Sequence, residues 1–240
     1  MMNVISDFLS SSGIAKVLPQ MPMYIWETFY STVVSTFFAY VIGLPLGIFL
    51  VIGESGGLVE VPKPIMHALN IIVNLLRSVP FLILMIIVLP LSGVLLGTKI
   101  GTPASIPPLV IAAFPFVARM VESSIREVDK GVIEASQAMG CSTFEIIFKV
   151  MLPESKPSLI SGACISLTTI LGYGAMAGII GGGGLGYLAI NYGYYKFNYP
   201  VMIMAVVLLV IIVQIFQMIG TKLSVRLDKR ISETKRRRKK

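Results

Sequence analysis

Charge is scarce in this sequence. Of 240 residues only 13% are Asp, Glu, Lys or Arg, while 55% are hydrophobic and the mean hydropathy is +0.84. An ordinary soluble domain carries about 25% charged residues, so a water-facing globular enzyme is a poor description of the chain. Cysteine is rarer still. Cys141 and Cys164 lie in a polar stretch and an apolar run, without metal-ligand spacing and too few for a disulfide scaffold, and both read as free thiols. The one histidine, His67, has no companion ligands, so no metal site is expected. The pattern G-x-x-x-x-G-K-[ST] does not occur, which leaves no P-loop to hold a nucleotide. The opening residues MMNVISDFLSSSG lack the basic region and small-residue site of a cleavable signal peptide. Val4, Ile5, Phe8 and Leu9 share one helical face there and suggest a short interfacial helix.

What the chain does have is long apolar runs. Crossing a hydrocarbon core about 30 Å thick takes roughly 20 helical residues, and five runs qualify: 27–52, 65–91, 107–125, 157–180 and 200–221. Pro45, between two glycines, suggests a kink in the first. The net charge of +8 is confined to the end. Residues 222–240 hold ten Lys or Arg against Asp228 and Glu233, which is +8, and the rest balances ten against ten. Beside a last apolar span this tail reads as a cytoplasmic anchor that meets anionic membrane lipid, rather than as a nucleic-acid arm. Five spans then put the N-terminus outside. The inner segments gain Lys63, Arg126, Lys130, Lys149 and Lys156, and the outer ones keep Lys16, Lys99 and Lys196. Four or six spans would split the basic loop from the basic tail. The expectation is therefore an all-α, multi-pass protein of the plasma or inner membrane, with five transmembrane helices, N-terminus outside and C-terminus cytoplasmic.

The inner loop before the fourth span is long for a connection. Asp129 can cap a helix KGVIEASQAM that Gly140 would end, because a left-handed backbone costs glycine least. Ser142 and Glu145 form a capping box for a second helix, and Glu145 and Lys149 stand at i,i+4. Phe144, Ile147, Phe148 and Met151 fall on one apolar stripe, and Pro153 is expected to stop the helix. Such a stripe can lie on the bilayer, on the chain's own spans, or on a partner.

The segment Glu134-Ala135, Gly140, Val150, Leu152-Pro153 resembles the EAA signature of membrane subunits of binding-protein-dependent ABC importers. That signature reads Glu-Ala-Ala, three residues, Gly, nine residues, Ile, one residue, Leu-Pro. Every spacing agrees, with Ser136 and Val150 as mild departures. RSVPF, GTKIGTPASIPP, FVARMVESSIREVD and GYGAMAG followed by GGGGLGYLAINYGY are similar to the methionine-uptake branch. The resemblance implies a type I importer permease fold and no catalytic residues in this chain. It makes residues 129–153 a coupling region in which Glu134, Ala135, Gly140, Phe144, Ile147, Phe148, Leu152 and Pro153 meet a separate ATPase. It also implies a homodimer, two ATPase subunits that bind ATP and Mg, and an extracytoplasmic methionine-binding lipoprotein serving the outer loops 92–106 and 181–199. The cargo would be D- or L-methionine or both.

Two further features carry expectations. His67, Asn70, Asn74 and Arg77, spaced by three, four and three, put a polar stripe on the second span; intramembrane polarity usually faces protein or water. Asn74 and Arg77 are thus pathway or subunit-interface candidates, although Arg77 could also snorkel. GYGAMAGIIGGGGLG (172–186) matches G-x-G-x-x-G formally, yet no strand precedes it and no acidic residue follows within 20 positions, so it is no dinucleotide site. Gly181, Gly182, Gly183 and Gly184 read as an outer gate or hinge, or as plain close packing. Tyr173 and Met176 are pathway candidates. A secondary transporter would need an acidic group at mid-span, and the sequence offers none; a channel would leave the inner module without a purpose. The nearer alternative is the same kind of importer carrying another small solute.

Overall fold

The computed structural model describes residues 13–227, and among these every regular element is helical. The expected interfacial helix at residues 4–9 and most of the basic tail, from 228 on, lie outside them. Helix α1 is Ile14–Ile52, α2 Lys63–Ser78, α3 Phe81–Leu96, α4 Thr102–Arg126, α5 Lys130–Ala138, α6 Thr143–Ile180 and α7 Tyr199–Leu227. Of these, α1, α4, α6 and α7 are each long and apolar enough to cross a membrane, and α2 with α3 together pass the same test as a bent pair, which makes five spans when the pair is counted as one.

Two of the expected spans are built differently. The second, 65–91, is not one rod: α2 and α3 are bent by 105°. Pro80 has no N–H and forces Val79 out of helical geometry, so the ladder ends at Ser78 and restarts from the Pro80 carbonyl, which accepts from Ile83 and Leu84. Nor does Pro153 end a helix. The chain continues through it as α6, because residues Ile146–Met151 widen into a π-turn in which the Leu152 amide reaches back to the Ile147 carbonyl. The wider turn makes room for the proline ring, which would strike the i−4 carbonyl in α-geometry.

The chain separates into two compact units. One comprises the chain up to Phe38, Val79–Ala113 and Leu167–Ile215; the other comprises Ala39–Ser78, Phe114–Ser166 and the chain from Phe216. The first is centred on Ile14, Val17, Met21, Leu185, Leu188, Val201 and Ala205, all buried. Here the glycine run makes a sharp return. Gly181 and Gly184 take φ of 86° and 77°, and a short helix Gly184–Tyr187 starts again and runs into a π-helix, Leu188–Tyr194. The Glu27 carboxylate accepts from the Gly184 amide at 2.7 Å, and the Thr28 hydroxyl from Leu185 at 2.8 Å. A side chain at Gly183 would collide with Thr102 and come within 2.5 Å of Glu27 Oε2.

In the second unit, Gly43 and Gly47 form a small-x-x-x-small pair on α1. A Cβ at Gly43 would lie 2.7 Å from Val117, and one at Gly47 2.5 Å from the Ala118 carbonyl, so the two helices touch backbone to backbone, as small residues allow. Pro45 sits inside α1, which continues to Ile52. The buried residues Val117, Ala118, Val121 and Ile125 recur on one face of α4.

Candidate functional site

The segment between α4 and the body of α6 folds as two capped turns of the second unit. Asp129 accepts from the Gly131 amide at 2.7 Å and opens α5. The helix closes in a Schellman motif: Gly140 donates to Gln137 and Cys141 to Ser136, with Gly140 at φ 80°, the geometry in which glycine is least strained. Ser142 and Glu145 complete the capping box, and Lys149 pairs with Glu145 at 2.8 Å. Ser136, where the EAA pattern has its third small residue, is buried with its hydroxyl donating to the Val132 carbonyl at 2.7 Å. These local expectations hold bond for bond.

The apolar stripe does not stay whole. With the π-turn beneath it, Ile147 (8% exposed) and Met151 (2%) turn into the unit alongside Ile146, while Phe144 (68%) and Phe148 (52%) point away. The two outward rings pack on each other, centroids 4.3 Å apart. Met139 and Val132 are exposed near them in sequence. Glu134 and Ala135 are exposed on α5, and Leu152 and Pro153 lie within α6. A cavity of about 540 Å³ opens beside α5, where Ile133, Glu134 and Gln137 face residues 54–58, Arg126 and Met151.

The polar stripe of α2 is explained by a residue that sequence reasoning passed over. Arg119 of α4 donates through Nη2 to Asn70 at 2.8 Å and Asn74 at 3.0 Å, and through Nη1 to Glu122 at 2.6 Å. Glu122, its side chain only 11% exposed, also accepts from Arg126 at 2.9 Å, and Arg126 reaches Glu54 at 2.7 Å. His67 and Arg77 are exposed and take no part in this set. The signal was present as Arg, Glu and Arg at i, i+3 and i+7 of one apolar helix; only their ladder to α2 was out of reach. In the first unit Tyr173 stacks on Phe81, centroids 4.4 Å apart and rings 6° from parallel, and Met176 is exposed. Gly181–Gly184 form the sharp return already described.

Long apolar helices interrupted by one capped, aromatic-tipped module define a multi-pass membrane protein. The family model described as "Binding-protein-dependent transport system inner membrane component" matches residues 43–233, and the chain belongs to that family. It is 44% identical over 205 residues, 85% of this chain and 91% of the relative, to the probable D-methionine transport system permease protein MetI of Vibrio cholerae serotype O1. It is 48% identical over 168 residues, 70% and 76% of the two chains, to the methionine import system permease protein MetP of Bacillus subtilis. Among solved structures, an inward-facing conformation of the MetNI methionine ABC transporter superposes with TM-score 0.87 at 42% identity, covering 89% of this chain and 99% of that one. The chain thus has the fold of a type I importer permease.

Proposed function

We propose that this protein is the membrane subunit of an ATP-driven methionine importer. It acts as a homodimer, takes D- or L-methionine from an extracytoplasmic binding lipoprotein, and is driven by two separate ATPase subunits that bind ATP and Mg. The N-terminus is outside and the tail cytoplasmic. Residues 129–153 dock on the ATPase, and closure of the ATPase dimer around ATP draws the two docked segments together and turns the pathway outward. Such a change must be driven by differential binding to two states.

The observation that carries this reading is the uncovered pair Phe144 and Phe148 on a fully capped module. Paired aromatic rings turned away from their own body suit the aromatic anchors of a partner surface. The names of the relatives supply the cargo. The test is uptake by proteoliposomes carrying the chain, its ATPase and its binding protein, with labelled methionine and a panel of other amino acids. ATP-dependent accumulation of methionine is expected. Accumulation of a different solute would replace the cargo, and flux through the chain alone without ATP would overturn the class.

A further inference from the structure

Arg119 lies seven residues before the end of α4, roughly 10 Å up the helix at 1.5 Å per residue. An arginine at such a position is costly in a membrane unless it is paired. Glu122 alone would pair it, yet the guanidinium also spends Nη2 on two asparagines of α2. Asn70 and Asn74 stand one turn apart, so both carbonyls face the same Nη2. The outcome is an unbroken ladder from Asn70 and Asn74 through Arg119, Glu122 and Arg126 to Glu54. Its lower rungs, Arg126 and Glu54, form the wall of the cavity that faces Glu134 on α5. Only residues 127–129 separate Arg126 from the first residue of α5.

Charge neutralisation does not require this arrangement. Two arginines and two carboxylates already balance without the asparagines. The asparagine contacts instead add position, since two acceptors on one amino group fix α2 in rotation and in height. We propose that Arg119, with Asn70 and Asn74, is a positioning clamp that makes α2 follow the docking segment. Displacement of α5 pulls on Arg126, Glu122 passes it on, and Arg119 carries α2 with it. The clamp rests on the permease reading above and goes beyond the docking surface, because it names how docking reaches a span.

The test uses the assembled transporter in proteoliposomes and reads methionine moved per ATP hydrolysed, with purified complex yield and thermal midpoint as controls. N70A/N74A removes both acceptors and leaves every charge paired. Residues in coupling networks shift coupling by roughly twofold to thirtyfold, so moved methionine per ATP should fall within that range at unchanged yield and midpoint. R119K, whose ammonium has three donors on one nitrogen and no planar fork to span Glu122 and α2 together, should fall with it. If the double variant does not assemble, N74A, which cuts the exposed 3.0 Å bond alone, decides by the same ratio. A wild-type ratio, or a parallel loss of transport, hydrolysis and yield, would assign these residues to structure only and overturn the clamp. Absence of methionine uptake by the wild-type complex would instead overturn the permease reading, and the clamp with it.

Discussion

At Gly140 the backbone sits at φ 80° with no atom within 4 Å of where a Cβ would be. Space is therefore free and only conformation is constrained. Left-handed geometry costs an ordinary residue about 1–2 kcal/mol, while Asn tolerates it well. Gly140→Asn should keep ATPase stimulation near normal and Gly140→Val should weaken it severalfold, read as ATP hydrolysis at graded ATPase concentration. Gly183 is the opposite case: its φ is ordinary, but Thr102 and Glu27 occupy its Cβ position. Glu27→Ala would strip the Gly184 amide of its carboxylate and cost about 1–3 kcal/mol. Glu27→Gln, which keeps a carbonyl acceptor, should lose less. Thermal unfolding midpoints in detergent order the two.

Among the elements, α6 shows what periodicity conveys and what it misses. Caps are local chemistry, so Asp129, Gly140, Ser142 and Glu145 were legible from the sequence and form the expected bonds. The π-turn was not legible, because an i→i+5 turn has no composition of its own and a 3.6-residue count through Phe144 and Met151 places all four apolar residues together. Pro153 was misread for the same reason, as a stop rather than a ring housed by a widened turn. The bend at Ser78–Phe81 followed from Pro80, yet a continuous hydropathy run concealed it. Deleting Val150 removes the extra residue that the wide turn holds and should return it to α-geometry, where the Pro153 ring strikes the i−4 carbonyl and kinks the helix beneath the Phe pair. The expected outcome is unchanged helical circular dichroism with ATPase docking lost, measured by co-purification.

For the whole molecule, the helical class and the presence of several apolar membrane-length helices were readable because lipid imposes them through length and hydropathy alone. Long-range pairing was not, and Arg119 is the instance: its neighbours in sequence predict Glu122, but nothing local predicts Asn70 and Asn74 across α2. The proposed orientation can be checked with the two native thiols. Cys141 is half-buried at the end of the α5 cap, whereas Cys164 donates to the Phe216 carbonyl and packs under Gly220. A membrane-impermeant maleimide should label Cys141 strongly in inside-out vesicles and about tenfold less in right-side-out ones. The reverse pattern would invert the topology.

The Phe144–Phe148 pair also has a consequence for how cells must make this protein. On the proposed docking, a copy synthesised without its ATPase would carry two tilted, packed rings in water, an adhesive spot of the kind that quality-control proteases and chaperones recognise. Orphan subunits should then be short-lived, and the proposed docking would make balanced production of both chains a requirement set by two side chains.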